Sequence, residues 1–500
     1  MTPASDTALE TLHETAMGIF TGTLAACNIA AAFDRRLRFE ENRLQRLLPD
    51  GSGPETIDLS SYKRIFVIAI GKAAGPMLET LLSRIQRRKG LRGICCSSRL
   101  PKDRNWRIRY FEGGHPLPNE DSFAAARAAL VLLRKAKRDT LVLFLISGGG
   151  SAICDLPLDP QITLEETRAF HQALLACGAP INEINTLRKH FSAVKGGRLA
   201  MAAPEAAKIS LLLPDVPLRT LDALSSGPTS PDHSTVNEVR ELIAKYDLAA
   251  KLPPSVRAFF DRADLPESPG NKAWRPPFFS KAGRSAAEGS RRTAVTSMTG
   301  EDEAFRDSVF EILLSSQDLV ENARTLARQA GYFTVVDNSC DDWDYADAAR
   351  YLLERFHALR KVHPRLCLIS VGEVTVTLTR TPGAGGRNQQ FALACALELE
   401  KYPGEGLTVL SAGSDGIDGN TQSAGAIADP TTAARARAFG FDPEESLAAF
   451  NACPLFTAIG DAVVTGPTGH NLRDLRLLIA DRSCGAATFP AATARTATGE

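Results

Sequence analysis

Residues 141–151 read LVLFLISGGGS, an apolar run that stops at a serine, three glycines and a second serine. A run of this length is typical of a strand buried on both faces, as parallel sheets require. Glycines at its carboxyl end would lie in the crevice where open α/β sheets bind ligands. Their bare N–H groups can cradle a phosphate, although a tight strand-to-helix turn also uses glycine. We predict a nucleotide-binding loop, with the plain turn as the alternative; its members are Ser147, Gly148, Gly149, Gly150 and Ser151.

The order of a buried strand followed by a helix recurs along the first half of the chain. Residues 65–70 (IFVIAI) run into the glycine-flanked Lys72, and residues 209–213 form a further short strand. Apolar residues at helical spacing predict helices, which cover 8–48, 164–177 and 181–199. Strands that alternate with helices in this way predict a Rossmann-like, doubly wound parallel sheet.

The second half repeats the alternation on a smaller scale. Strands are predicted at 333–336, 367–370, 374–378 and 407–410, and helices at 319–330, 345–359 and 388–399. We therefore predict four segments along the chain, separated by a Pro- and Gly-rich stretch and ending in an Ala- and Thr-rich one. They are an N-terminal Rossmann-like α/β domain (1–261), an irregular linker (262–302), a smaller C-terminal α/β domain (303–483) and a disordered tail (484–500).

The composition is that of an ordinary globular protein of roughly two to three domains. Of the 500 residues, 44% are hydrophobic and 23% are charged, and Lys plus Arg balance Asp plus Glu at 58 each. That balance argues against a nucleic-acid-binding protein. The amino terminus lacks the pattern of a secretory signal, no apolar run reaches the ~18 residues that span a bilayer, and the cysteines form no C-x-x-C pair. We expect a cytoplasmic protein with reduced thiols and with neither nucleic acid nor membrane as partner.

Two groups of basic residues are candidates for binding an anion. Lys72 directly follows a buried strand, where its ammonium can reach a phosphate or carboxylate oxygen; the alternative is a surface lysine at the start of a helix. The segment 185–198 contains Arg188, Lys189 and Lys195. It predicts either a wall that grips a substrate carboxylate, in which arginine can be bidentate, or a solvated helix face.

A glycine-rich loop in the second half opens the predicted helix at 388–399. Gly385 and Gly386 permit close approach of a nucleotide, and Arg387 follows them at the helix start. An arginine beside the positive end of the helix dipole is unfavourable unless an anion or an acid compensates it. A transferring phosphoryl group is such an anion. We predict that Arg387 acts on that group and that the two glycines contact the nucleotide, with a structural role as the alternative.

Aspartates follow two further predicted strands. Asp215 comes after 209–213, and Asp415 and Asp418 lie in a glycine-rich turn after 407–410. Carboxylates in such places can hold Mg²⁺ or orient a hydroxyl, but aspartate also favours turns because of its local hydrogen bonds. Asp215 and Asp415 are the candidate metal ligands.

Taken in order, the motifs of this chain resemble those of the glycerate 2-kinase family, whose carboxyl-terminal part is called the MOFRL domain. The matching strings are 71–74, 113–118, 147–152, 182–198, 226–229, 372–373, 385–389, 415–419, 424–426 and 465–469. The resemblance implies two α/β domains, the smaller one of MOFRL type, with the active site in the cleft between them. It also implies ATP- and Mg²⁺-dependent phosphorylation of the 2-hydroxyl of D-glycerate, which gives 2-phosphoglycerate and ADP. In the family, the residues matching Lys72 and Arg387 are associated with activity.

The resemblance leaves several questions open. Residues 217–220 read PLRT where a Gly-Asp turn is usual, and residues 470–473 read HNLR where Thr-Asn-Val-Asn is usual. The implied partner is a small-molecule substrate, and a homodimer is the assembly left open. Three alternative functions remain: a hydroxypyruvate reductase using a nicotinamide cofactor, a kinase of another small hydroxy acid, and a relative that binds ligand without catalysis.

Overall fold

The computed structural model describes residues 6–47, 53–85, 90–270, 305, 308–379, 381–402 and 405–481. These residues divide into two compact units, named here after their main sheets. The parallel-sheet unit comprises the described residues within 27–318 and 469–472, and the mixed-sheet unit comprises those within 1–26, 319–468 and 473–500.

The helices and strands of the described residues are numbered in chain order. The helices are α1 (Asp6–Ala26), α2 (Ile29–Arg36), α3 (Ala74–Arg84), α4 (Glu120–Leu133), α5 (Gly150–Ile153), α6 (Leu164–Ala176), α7 (Ile181–Phe191), α8 (Arg198–Met201), α9 (Val236–Lys245), α10 (Pro254–Phe260), α11 (Ser316–Gln329), α12 (Tyr345–Arg360), α13 (Arg387–Leu399), α14 (Thr432–Ala438), α15 (Pro443–Ala448) and α16 (Ala452–Ala458). The strands are β1 (Leu37–Glu40), β2 (Arg43–Leu47), β3 (Pro54–Asp58), β4 (Arg64–Ile70), β5 (Leu91–Ser97), β6 (Ile108–Glu112), β7 (Thr140–Ser147), β8 (Ala207–Leu213), β9 (Ser308–Ile312), β10 (Phe333–Val336), β11 (Leu366–Val371), β12 (Leu407–Gly413), β13 (Gly425–Ala428), β14 (Ala462–Val463) and β15 (Asp474–Ala480). Leu59–Ser61 and Leu218–Ser226 contain 3₁₀ turns.

The parallel-sheet unit is built around six strands in the order β6-β5-β4-β7-β8-β9, and every neighbouring pair is parallel. The order reverses between β4 and β7, which makes this the switch point where doubly wound sheets bind ligands. Every residue of β7 is buried, and so is every residue of β4 after Arg64. The apolar runs are therefore central strands, and the predicted doubly wound sheet is confirmed.

The predicted helix over 8–48 is wrong beyond residue 36. After α2 the chain forms the hairpin β1–β2, which β3 extends into a three-stranded antiparallel sheet. Arg46 fits a solvated helix face in the sequence, yet it is buried because its guanidinium pairs with Glu311 Oε2 at 3.2 Å. A partner so far along the chain leaves no local trace in the sequence.

The mixed-sheet unit has the strand order β10-β11-β15-β12-β13-β14. Only β10 and β11 pair in parallel, and the other neighbours are antiparallel. Helix α1 packs against β12 and β15, and its buried apolar residues recur every three or four positions: Leu9, Leu12, Ala16, Ile19 and Phe20. Among the described residues no single helix is long and apolar enough to cross a bilayer. Helices α1 and α2 together have the length and apolar composition of a bilayer span, but the pair is bent by 54° at the break between them.

The boundaries of the two units differ from those of the predicted domains, the first of which ends at residue 261 and the second of which begins at residue 303. Helix α1, inside the predicted 1–261 domain, belongs to the mixed-sheet unit, and β9, inside the predicted 303–483 domain, pairs with β8 in the parallel sheet. Both placements depend on which distant surface covers an apolar face. Most of the predicted linker (271–302) and the predicted tail (484–500) lie outside the described residues.

Two other predicted elements differ in the structure. The helix predicted over 181–199 ends at Phe191, where Ser192 adopts an extended backbone, and Gly196 and Gly197 then turn the chain with positive φ angles before α8. The segment 374–378 is not a strand, and within it only Thr375 forms a single bridge. The segment cannot extend the sheet beside β11, because both sides of β11 are already paired, with β10 and with β15.

Candidate active site

Two glycine turns meet at the switch point of the parallel sheet. Gly71 follows β4, and Gly148 follows β7. The N–H of Lys72 donates to the carbonyl oxygen of Gly148 (2.9 Å), and the N–H of Ala73 donates to Ser147 Oγ (3.0 Å). Gly71 has a φ of +116°, and a Cβ there would lie 2.3 Å from the Ser147 carbonyl oxygen, so only glycine fits. The two turns are locked together, and the Lys72 side chain starts beside the SGGGS loop (residues 147–151).

Two serines from a distant turn brace the SGGGS loop. Ser225 Oγ donates to the carbonyl oxygen of Ser147 (2.6 Å) and accepts the N–H of Gly150 (3.1 Å). Ser226 Oγ lies 2.8 Å from Ser151 Oγ. Both bracing serines have positive φ angles, 52° and 59°, which are costly for residues other than glycine. Sequence reasoning missed Ser225; the signal it had was the turn composition of Ser-Ser-Gly-Pro.

Asp215 lies against the middle of the SGGGS loop. A Cβ at Gly148 would come within 1.8 Å of Asp215 Oδ2, so the carboxylate fills the space that a side chain would take. Among the described residues no group of three or more His, Cys, Asp and Glu side chains could hold a metal ion. Mg²⁺ is usually bound through only one or two carboxylates together with substrate phosphates and water. Mg²⁺ binding by Asp215 therefore stays a prediction, and a single carboxylate is compatible with it.

His115 stands beside Lys72 and was not among the predicted site residues. A Cβ on Gly149 would lie 3.0 Å from Lys72 Cγ and 3.3 Å from His115 Cδ2, so both side chains border the same glycine. Desolvation by the surrounding protein and the charges of Lys72 and Arg188 lower the pKa of His115 to about 4, although part of the residue is open to solvent. At neutral pH its imidazole is uncharged and offers one donor and one acceptor nitrogen. The available signal was the Gly-Gly-His-Pro string of the resemblance.

The three basic residues predicted to bind substrate have different surroundings. Arg188 is 8% exposed, and its Nε is buried with no hydrogen-bond partner in the part of the chain that the structure describes. Burial lowers the pKa of its guanidinium, and the carboxylate of Asp155 opposes that shift. A buried guanidinium with an unused donor is costly unless a ligand satisfies it. Arg188 is thus the basic residue of α7 best suited to a substrate carboxylate.

Lys189 and Lys195 are engaged by carboxylates of the protein itself. Lys189 Nζ lies 2.9 Å from Asp222 Oδ2 and 3.2 Å from Asp232 Oδ1. Lys195 is fully buried, and its ammonium contacts the carboxylate of Asp155. A role of Lys189 and Lys195 as substrate ligands stays a prediction. Their ion pairs show that each lysine also has a structural role.

Arg387 opens helix α13 between two carboxylates of the mixed-sheet unit. Its Nε donates to Asp474 Oδ2 (2.6 Å) and its Nη2 to Asp474 Oδ1 (3.1 Å), while Nη2 also lies 2.8 Å from Glu373 Oε1. About a third of the side chain, 35%, is exposed. Burial opposes the charge, but the two carboxylates raise the pKa of Arg387. The charge compensation expected at this helix start is therefore supplied by acids of the protein, and the side chain stays partly exposed.

The loop before Arg387 is held by side chains of the same unit. The N–H of Gly385 donates to Asn420 Oδ1 (2.9 Å). Gly386 leaves no room for a Cβ, which would lie 2.3 Å from Asp418 Oδ1. Asp418 caps α13 by accepting the N–H groups of Asn388 (3.1 Å) and Gln389 (2.9 Å). Nucleotide contact by the two glycines stays a prediction, and Asp418 is the acid that shapes their turn.

Asp415 has a different environment from Asp418, although both lie in the same turn. It is half-buried, and its Oδ1 accepts the N–H of Ile417 at 3.1 Å. This is the local bond that makes aspartate common in turns. Metal binding by Asp415 stays a prediction.

The buried cap makes the stability of the mixed-sheet unit depend on pH. Burial raises the pKa of Asp418 to about 7, although the N–H groups of Gln389 and Asn388 oppose the shift. Because the folded pKa exceeds the unfolded one, the contribution of Asp418 is full below pH 4 and is lost as pH rises towards 7. We expect Asp418→Asn to cost about 3 kcal/mol less at pH 8 than at pH 5. Urea unfolding at both pH values measures this, with Asp442→Asn, at the exposed cap of α15, as the control for loss of a cap; equal costs at the two pH values would contradict it.

Comparisons with known proteins show which family the chain resembles. The profile of a domain of unknown function, DUF4147, matches residues 15–261, and that of the MOFRL family matches residues 366–474. The chain is 32% identical over 440 residues to the D-glycerate 2-kinase of Thermotoga maritima, over 86% of this chain and 94% of that protein. It is 36% identical over 379 residues to a provisionally named hydroxypyruvate reductase of Agrobacterium vitis, over 75% of this chain and 77% of that protein. The crystal structure of glycerate kinase from Thermotoga maritima superposes with a TM-score of 0.73 at 29% identity, over 94% of this chain and all of that one.

Proposed function

The chain belongs to the glycerate kinase family that ends in a MOFRL domain and is a kinase, and from this premise we propose that it phosphorylates the 2-hydroxyl of D-glycerate with Mg²⁺-ATP. The products are 2-phosphoglycerate and ADP. One observation carries the proposal: the braced SGGGS loop, Lys72 and the carboxylate of Asp215 meet at a single sheet edge, and the charges of Lys72 and of the unsatisfied Arg188 both act on His115 beside them. Such a set can bind polyphosphate, a substrate carboxylate and a metal ion at once.

The proposed chemistry is direct transfer without a phosphoenzyme. The SGGGS loop binds the ATP phosphates, and Lys72 and Arg387 stabilise the charge on the transferring phosphoryl group. The bond from the γ-phosphorus to the bridging oxygen of ADP breaks as the glycerate 2-oxygen bonds to that phosphorus. The electron pair of the broken bond leaves with ADP.

The hydroxyl proton passes to a base near the transferring group. Asp215, Asp415 and the uncharged imidazole of His115 are the candidate acceptors. Asp215 also fits as a ligand of Mg²⁺, which when bound neutralises charge on the phosphate oxygens. His115 can take the proton without a change in the charge of the neighbouring carboxylates.

We expect Arg188 to bind the carboxylate of the substrate. Arg188→Gln should raise the KM for D-glycerate by about 10- to 100-fold, because a hydrogen-bonded ion pair in a buried setting is lost. The KM for ATP should change by less than about threefold. Steady-state kinetics measures both constants, with Arg168→Gln on the exposed face of α6 as the control. Equal rises in the two constants would contradict this role.

The proposal is tested by following ADP formation from Mg²⁺-ATP and D-glycerate, with enolase as the coupling enzyme. Enolase consumes 2-phosphoglycerate only, so a signal with enolase alone identifies the 2-hydroxyl as the acceptor. A signal that requires added phosphoglycerate mutase would identify the 3-hydroxyl and overturn the regiochemistry. ADP formation only with another hydroxy acid would change the proposed substrate.

The reductase name of the Agrobacterium relative defines a second candidate activity. A nicotinamide enzyme of this architecture would have G-x-G-x-x-G after the first strand of its sheet. Here β4 is followed by GKAAGP, which lacks that spacing. We therefore expect no oxidation of NADH or NADPH in the presence of hydroxypyruvate; such oxidation, at a rate comparable with ADP formation, would favour the reductase.

A further inference from the structure

Arg473 occupies a backbone conformation that its side chain makes expensive. Its φ is +79°, a left-handed value that asparagine and glycine adopt readily and long side chains with a Cβ do not. The side chain is 7% exposed, and its guanidinium forms two parallel hydrogen bonds with Asp341, of 2.8 Å and 2.5 Å. A chain that needed only to turn here would do so more easily with asparagine. The presence of arginine at this turn therefore points to a role for its guanidinium, which binds Asp341 through two nitrogen atoms.

Asp341 connects Arg473 to the backbone of Gly372 and Glu373. Its Oδ1 accepts the N–H of Glu373 at 3.1 Å. A Cβ on Gly372, whose φ is +144°, would lie 2.9 Å from that same oxygen. The carboxylate of Asp341 thus packs on the peptide from which the Glu373 side chain starts.

Glu373 in turn contacts Arg387. Its Oε1 lies 2.8 Å from Arg387 Nη2, while Asp474 binds Nε and Nη2 of the same guanidinium. Asp474 is the next residue after Arg473, so two consecutive residues reach Arg387 by separate routes. Asp474 binds it directly, and Arg473 acts through Asp341 and Glu373.

We propose that Arg473 and Asp341 are positioning residues for Arg387 and that they act through Glu373. The inference rests on the proposed function, in which Arg387 stabilises the transferring phosphoryl group. A guanidinium gripped by two carboxylates keeps one orientation, and a displacement of about 1 Å at a catalytic group can cost up to ~10² in rate. Without Arg473 the carboxylate of Asp341 loses its bidentate contact, so we expect the Glu373 side chain to hold Arg387 less firmly, while Asp474 keeps its contacts with Arg387.

The first test compares Arg473→Asn with the unaltered enzyme. Asparagine suits the positive φ, so the midpoint of thermal unfolding should stay within a few degrees or rise, while kcat should fall about 10- to 100-fold. The KM values for ATP and D-glycerate should change by less than about threefold, because Arg387 acts on the transferring group. A kcat within twofold of the unaltered enzyme would show that Arg473 serves the backbone alone and would overturn the proposal. Arg350→Asn, at a surface pair on α12, is the control.

The second test uses Asp341 and the double variant. Asp341→Ala should lower kcat as much as Arg473→Asn, because either change removes the contact between the guanidinium and the carboxylate. Because the contacts act in series, Arg473→Asn with Asp341→Ala should lower kcat no further than either single change. Additive losses would overturn the series. If Arg387→Ala kept its activity, the proposed role of Arg387 would fail; if it lost activity while the Arg473 and Asp341 variants kept theirs, only the positioning inference would fail.

Discussion

Replacement of Lys72 by alanine is expected to lower kcat by about 10²–10³, because a preorganised charge on the transferring phosphoryl group is removed. The fold should survive the change. The structural contacts of residue 72 come from its backbone, whose N–H donates to the Gly148 carbonyl oxygen, and its side chain is exposed at the crevice. The midpoint of thermal unfolding should therefore stay within a few degrees of the unaltered value.

The control for Lys72 is a lysine at the other end of the same strand. Lys63 precedes β4, its side chain is 82% exposed, and its ammonium lies 3.8 Å from Asp139 Oδ2. Lys63→Ala removes the same charge from the same unit at the amino end of the sheet, where doubly wound sheets do not bind ligands. Its kcat should be unchanged. A Lys72→Ala enzyme with more than about a tenth of the original kcat would contradict the role assigned to this ammonium.

Arg387 should be as important for turnover as Lys72, but its removal also affects stability. Arg387→Ala is expected to lower kcat by about 10²–10³. It also leaves Asp474, whose side chain is 2% exposed, without its bidentate partner, so the mixed-sheet unit should unfold at a lower temperature. The loss of activity must therefore be measured well below the unfolding transition, by kcat at saturating ATP and D-glycerate.

Arg387→Lys separates the catalytic effect from the structural one. Lysine keeps a cation for Asp474 but lacks the planar fork that binds a carboxylate and a phosphoryl oxygen together. We expect near-normal thermal unfolding and a kcat reduced at least about tenfold. Arg324→Lys, on the surface of α11 with Glu321 as its partner, is the control. Arg387→Lys with full activity would mean that charge alone suffices, and Arg387→Ala with full activity would remove the residue from the mechanism.

The features that could be predicted from the sequence depend on neighbouring residues only. The apolar runs before Gly71 and Gly148 are typical of central strands, since their lengths and lack of alternation suit burial on both faces. Glycine at the carboxyl ends of these strands then indicated the switch point, because backbone must approach backbone there. Lys72 could be chosen because it directly follows such a turn, and Arg387 because it follows two glycines at the start of a predicted helix.

Features that depend on distant partners were decided by the tertiary structure alone. The sequence does not distinguish the three basic residues Arg188, Lys189 and Lys195. In the structure the two lysines form ion pairs with carboxylates of the protein, whereas Arg188 Nε is buried without a hydrogen-bond partner among the described residues. Likewise Asp415 and Asp418 share a turn, but only Asp418 accepts N–H groups at the start of α13.

Distant partners also explain why the predicted first helix extends too far beyond residue 36 and why α1 belongs to the mixed-sheet unit. Periodicity shows that a face is apolar and must be buried, but it does not say which strand covers it. The parallel sheet could be predicted because each of its main strands carries its own signal. The network around Arg387 could not, because Arg473, Asp341 and Glu373 come together only when the chain has folded.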